Sequence, residues 1–114
     1  MKCVDVFRFA TGLLSLLPAS ALAAGNCGPG ICDAAFVKKL YVVTDGTTYI
    51  QTDKVQTSLN CTQAGGVYIT LLQSAQSQQI FALLLTAHMQ QTPVAIRINE
   101  SSAGCTIAYV TSDK

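Results

Sequence analysis

The hydrophobic and polar positions of residues 74–99, SAQSQQIFALLLTAHMQQTPVAIRIN, change period once, at a proline. Ile80, Leu83, Leu84 and Ala87 fall at the i, i+3, i+4, i+7 spacing of one helical face. Phe81, Leu85 and Met89 widen that face to more than half the circumference, so such a helix must be covered on two sides. Pro93 has no N–H and disfavours helix at Thr92. The spacing therefore predicts a helix over about residues 75–91, its first turn capped by Ser74 or Ser77 accepting backbone N–H groups.

Elsewhere the pattern is that of strands. Residues 36–44, FVKKLYVVT, are rich in β-branched and aromatic side chains, with Val37, Lys39, Tyr41 and Val43 on one side and Lys38, Leu40 and Val42 on the other. Asp45-Gly46 predicts a tight hairpin turn with positive φ, returning the chain as residues 47–52. Residues 26–33 read as a glycine-rich leader and 55–62 as a weaker segment, a short extra strand or bulged extension. Gly65-Gly66 breaks that segment before a third strand at 67–72; residues 94–99 and 105–111 are the fourth and fifth, joined by a polar turn. The fold is thus mainly β with one helix, in the order β-β-β-α-β-β. That is the order of a five-stranded OB-fold-like Greek-key barrel in which the helix plugs one end. An α+β sandwich with the helix on an open antiparallel sheet has the same order.

The first residues carry a different signal. Lys2 and Arg8, an apolar run from about Phe9 to Leu17, and the small residues up to Ala23 make residues 1–23 a secretory signal peptide, leaving residues 24–114 as a single domain. The apolar run is shorter than the roughly 20 residues needed to cross a bilayer. Asn26, which is not a small residue, precedes Cys27, against a lipid anchor. The expectation is an exported protein, periplasmic or secreted, with no stable membrane insertion.

Without residues 1–23, Lys38, Lys39, Lys54, Arg97 and Lys114 balance Asp33, Asp45, Asp53, Glu100 and Asp113. Nucleic-acid binding needs clustered cations, and only Lys38-Lys39 are adjacent, so it is set aside. A domain of about 90 residues buries a modest share of its surface and often depends on disulfides or subunit contacts. Cys27, Cys32, Cys61 and Cys105 are an even number in an exported chain and read as two disulfides. Three pairings are open. The short flexible segment Gly28-Pro29-Gly30-Ile31 favours Cys27 with Cys32, leaving Cys61 with Cys105, a bridge that would contribute roughly 3 to 5 kcal/mol by restricting the unfolded chain. The cysteine spacing and a lone histidine on the helix do not make a zinc site, and no metal or cofactor is expected.

The helix followed by Gln91-Thr92-Pro93-Val94-Ala95-Ile96-Arg97-Ile98, the hairpin with Tyr49, and Gly104-Cys105-Thr106 resemble small exported OB-fold proteins related to the B subunits of five-subunit AB toxins, subtilase cytotoxin in particular. That group assembles B subunits into rings whose helices line the centre and whose outer barrel surface binds host-cell glycans. The resemblance implies a non-enzymatic binding subunit, and it assigns no sugar-contacting residue.

Candidate chemistry is sparse. His88 is the sole histidine and would have to be the base of any Ser-His-Asp or Cys-His arrangement, yet no carboxylate lies near it in sequence. The acids fall in predicted turns or termini, where solvated charges belong, so no catalytic residue is assigned and the protein is read as not an enzyme. Tyr41, Tyr49, Tyr68 and Tyr109 sit in predicted strands and serve either packing or ligand stacking; Tyr49, next to the turn, is the best candidate for an exposed binding aromatic. Asn60-Cys61-Thr62 and Asn99-Glu100-Ser101 match a glycosylation pattern too short to carry weight.

The wide apolar helix offers Ile80, Leu83, Leu84 and Ala87 as a homo-oligomer interface, favouring an oligomeric glycan-binding subunit. Exposure of Leu83, Leu85 or Met89 would support it. The alternative is a monomeric periplasmic OB-fold envelope or stress protein binding a small ligand, its helix fully covered by its own strands. A cleft joining His88 to an acid would point instead to a small hydrolase.

Overall fold

The computed structural model describes residues 25–112, so the expected signal peptide lies outside the described residues. Two three-stranded antiparallel sheets and one α-helix make up the body. Strand β1 (Ile31–Ala35) pairs with β6 (Val94–Ile98), and β6 pairs with β8 (Ile107–Ser112). Strand β2 (Val37–Val42) pairs with β3 (Thr48–Thr52), which pairs with β5 (Ile69–Leu71). A short parallel ladder joins β4 (Thr62–Gln63) to β7 (Ala103–Gly104). The described residues thus hold eight strands where five are expected. The two sheets meet between β5 and β8 at a single bridge, Thr70 to Thr106, with Thr70 N–H donating to Cys105 O at 3.1 Å. Continuous pairing does not close a barrel.

The first strand begins earlier than its hydrophobic pattern suggests. Residues 31–35, of which 31–33 are read as part of the leader, form β1, because the strand finds its partner in β6. Alternation is lost there for a local reason: the register shifts between Cys32 and Ala35, and Ala34 takes φ 48° while its N–H donates to Asp33 Oδ1 at 2.9 Å. A bulge of this kind bends a strand and breaks its period of two. Strand β2 follows after one residue, Phe36, and turns into the other sheet. Asp53 clamps this corner: its N–H donates to Phe36 O at 3.0 Å and its Oδ1 accepts Phe36 N–H at 2.9 Å.

The hairpin between β2 and β3 is real, but its turn differs from expectation. Only Gly46 has positive φ, 91°, and Gly46 N–H donates to Val43 O while Val43 N–H donates to Thr47 O. This three-residue loop ends in a glycine at the left-handed position. Asp45 contributes its carboxylate, accepting Thr47 N–H at 2.9 Å. The weaker segment forms a 3₁₀ turn, Gln56–Ser58, and its last residue, Thr62, begins the short extra strand β4. Gln56 is buried and explains the turn: its Oε1 accepts from Thr52 N–H and Thr52 Oγ1, and its Nε2 donates to Gln63 Oε1 and Val67 O. A buried amide with all these bonds made fixes the loop backbone better than an alternating strand of polar residues could.

Helix α1 spans Ser77–Gln90. No side chain caps its N-terminus; Ser77 Oγ donates to Ser74 O at 3.0 Å instead of accepting a helix N–H. The chain leaves the helix at Gln91, φ 56° and ψ 45°, before Pro93 is reached. The N–H groups of Gln91 and Thr92 both donate to Ala87 O, which ends the helix through a left-handed residue. Leu84 and Ala87 are buried against Ile50, Ile69, Val94, Ile96 and Ile98 in one core. That corrects their assignment to an oligomer interface: the two residues at the centre of the apolar face are covered by the domain's own strands. Ile80 and Leu83 are half-buried, and Leu85 and Met89 are exposed, Met89 at 74%.

Candidate ligand-binding cleft

The corner at Phe36 brings together residues that are far apart in sequence. Phe36, Val37 and Lys38 come from the β1–β2 junction, Asp53 directly follows β3, His88 lies in the last turn of α1 and Gln91 just beyond it; together they line a cleft of about 280 Å³. The bend that passes the chain from one sheet to the other turns the Phe36 side chain outward, 40% exposed, while Val37 beside it is buried. His88 is held by its Nδ1, 2.8 Å from Val37 O. A carbonyl can only accept, so Nδ1 carries the proton and the neutral ring keeps its lone pair on Nε2. Asp53 spends Oδ1 on the Phe36 amide. The cleft thus places an aromatic ring beside a carboxylate, an imidazole, an amide and a lysine. Such a set can stack on a ligand's apolar face and exchange hydrogen bonds with its hydroxyls. Its lining has no hydroxyl or thiol side chain to act as a nucleophile. His88 and Asp53 do share it, the juxtaposition that sequence spacing alone gives no reason to expect.

Tyr49, the aromatic chosen from the sequence, lies elsewhere. It is half-buried on the β2–β3–β5 sheet, paired across strands with Tyr41 at a ring-centroid distance of 5.3 Å and 6.2 Å from Tyr68, while Tyr41 and Tyr68 meet edge to face at 5.4 Å. Lys39 Nζ sits 5.8 Å from the Tyr41 centroid and 5.7 Å from that of Tyr68. These three rings satisfy one another and the lysine, as cross-strand packing pairs do. Tyr109 stands apart on β8 and is 51% exposed. It borders a larger groove of about 690 Å³ between α1 and β8, together with Leu72, Ile80 and Leu83.

The cysteines pair as Cys27–Cys32 and Cys61–Cys105, with Cα–Cα distances of 4.2 and 5.1 Å. Among the described residues no helix is long and apolar enough to cross a membrane, and no group of three or more His, Cys, Asp or Glu side chains is placed to hold a metal ion. Compared with known protein families and with curated proteins, the chain matches none.

The cleft is not legible along the chain because its lining comes from three separate segments, 36–38, 53 and 88–91. A usable signal exists only in hindsight of the fold: a lone histidine late in an apolar helix, with an acid at the end of the second strand.

Proposed function

We propose that this protein is an exported, non-enzymatic binding protein that recognises glycans through the Phe36–Gln91 cleft and works as a homo-oligomeric subunit similar to toxin B subunits. The observation that carries the reading is the cleft itself, where an exposed aromatic ring adjoins a carboxylate, an amide and an imidazole acceptor. Stacking plus hydrogen bonds to hydroxyls is the chemistry a sugar offers. Exposed Leu85 and Met89 on the outer flank of α1 support the oligomer, with Ile80 and Leu83 available at the neighbouring groove. The finer fold assignment belongs to the same reading. Taking β1 and β2 as two halves of one bent strand makes the strand pairings a circuit that the Thr70–Thr106 bridge completes, the connectivity of a partly open OB barrel.

The test is a glycan array probed with the oxidised protein beginning at residue 24, alongside its native mass by light scattering. A ring of subunits that binds a defined glycan set is expected. Lys38→Ala and Phe36→Ala, both at exposed side chains, should each weaken binding about tenfold, the loss of one good contact. A monomeric mass would remove the ring, and binding untouched by both substitutions would remove the cleft.

A second reading, a small hydrolase, is favoured by the shared position of His88 and Asp53. It predicts turnover of a 4-nitrophenyl glycoside or ester that Asp53→Asn abolishes. Absence of turnover across such a panel leaves the binding reading in place.

A further inference from the structure

The Val37–His88 hydrogen bond determines which edge of the imidazole is left to interact with a ligand, and this consequence rests on the cleft being the binding site. We propose that His88 sets the specificity of the cleft: its neutral ring presents Nε2 as an acceptor for a ligand hydroxyl, and protonation turns that nitrogen into a donor that prefers a carboxylate.

The Nδ1–H donates to Val37 O at 2.8 Å in both charge states, because the carbonyl has no proton to offer. Protonation therefore changes only Nε2. The charged and titratable residues lining the cleft are Lys38 on β2 and Asp53 after β3, while the other lining residues, Phe36, Val37 and Gln91, carry no charge. Asp53 has one oxygen committed to the Phe36 amide and one left as an acceptor. With neutral His88 the cleft offers two acceptors, the free Asp53 oxygen and Nε2, against the Lys38 ammonium, and suits a neutral polyhydroxylated ligand. With protonated His88 the balance becomes two cations to one anion, and an acidic ligand gains. Because Nε2 is the sole atom whose role reverses, the change is one of preference and not of affinity for every ligand alike.

The chain has a single histidine, so ¹⁵N-histidine labelling reports this ring alone. Long-range ¹H–¹⁵N correlation at about pH 8 should show Nδ1 protonated and Nε2 bare; the opposite tautomer overturns the proposal before any ligand is added. Binding is then measured for a panel of neutral methyl hexopyranosides and of acidic ones (methyl glycosides of uronic acids and of N-acetylneuraminic acid) at two pH values, one on each side of the His88 midpoint that the same ¹⁵N signals give. At the lower pH the acidic glycosides should gain about tenfold relative to the neutral ones, because a hydroxyl can accept from protonated Nε2 as well as donate to the neutral ring, whereas only a carboxylate gains from the added charge. His88→Asn retains a side-chain N–H that can reach Val37 O and lacks Nε2, so it should keep its thermal midpoint and lose the pH-dependent difference. Binding that is indifferent to pH and to His88→Asn overturns this proposal and spares the cleft. A wild-type protein that binds no glycoside at either pH sinks the cleft reading and this proposal together.

Discussion

At the scale of single residues, the hairpin shows how one carboxylate does work that a left-handed backbone would otherwise do. Asp45 keeps negative φ and instead anchors the loop through its side chain, and the Thr47 backbone N–H, then the Thr47 hydroxyl, hold its carboxyl below the usual carboxylate value. The charged form is the one bonded in the fold. Its contribution to hairpin stability is therefore fully present above the ordinary carboxylate value and is lost as pH falls through the lower folded value. Carbon-detected NMR titration of Asp45 should give a midpoint below that of aspartate in the unfolded chain. A midpoint at or above it would show that the Thr47 bond is not kept in solution. Gly46 is the complementary case: φ 91° strains any residue with a side chain, and a Cβ there would also have to displace the Gln73 side-chain amide.

Among the elements, α1 divides its apolar residues between two destinations. Leu84, fully buried, belongs to the core, whereas Leu85 and Met89 face outward. Leu84→Ala should cost about 3 kcal/mol in urea unfolding, through lost transfer energy and the cavity left behind. The pair Leu85→Ser with Met89→Ser should change the stability of an isolated subunit by less than about 0.5 kcal/mol. In sedimentation the same pair should dissociate the proposed oligomer. If it leaves the oligomer intact while Leu84→Ala disrupts it, the outer flank is not the contact. The helix was legible in sequence because four or more apolar residues repeat at its period, and tertiary packing does not need to be known to see a repeat. Its start was not, since Ser77 makes its bond backward to Ser74 and the first-turn amides find no side-chain partner. β1 was hidden for a comparable reason: the bulge at Asp33–Ala34 puts two exposed residues in succession and erases the alternation.

For the whole molecule, the two disulfides differ in what they constrain. Cys61–Cys105 spans 44 residues and ties the loop after the 3₁₀ turn to the start of β8's run, close to the single bridge between the two sheets. Cys27–Cys32 spans 5 and closes only the Gly-Pro-Gly turn. On the chain-entropy argument, removing the long bridge as Cys61→Ala with Cys105→Ala should cost about 4 kcal/mol in urea unfolding, and removing the short one about 2 kcal/mol. Equal losses would mean that the long bridge does not stabilise through loop closure. The long bridge matters more because it closes the longer loop, and it lies beside the β4–β7 ladder and the Thr62 N–H to Ser102 O bond (3.0 Å), which hold the same seam.

Four features could be read from the chain alone: a mainly β chain with one helix, the hairpin at Asp45-Gly46, the preferred cysteine pairing and the choice of a helix that ends near Pro93. Each rests on local chemistry, a hydrophobic period, a turn residue or a short loop between two cysteines, and local chemistry is written in adjacent residues. The tertiary structure alone decided that the chain passes from one sheet to the other at Phe36, that Leu84 and Ala87 face inward, that Tyr49 packs with Tyr41 and Tyr68, and that His88 and Asp53 line one cleft. Those outcomes depend on which strands pair and where a strand bulges. A contact such as His88 with Val37, 51 positions apart, is set by that pairing, so no window along the sequence contains it.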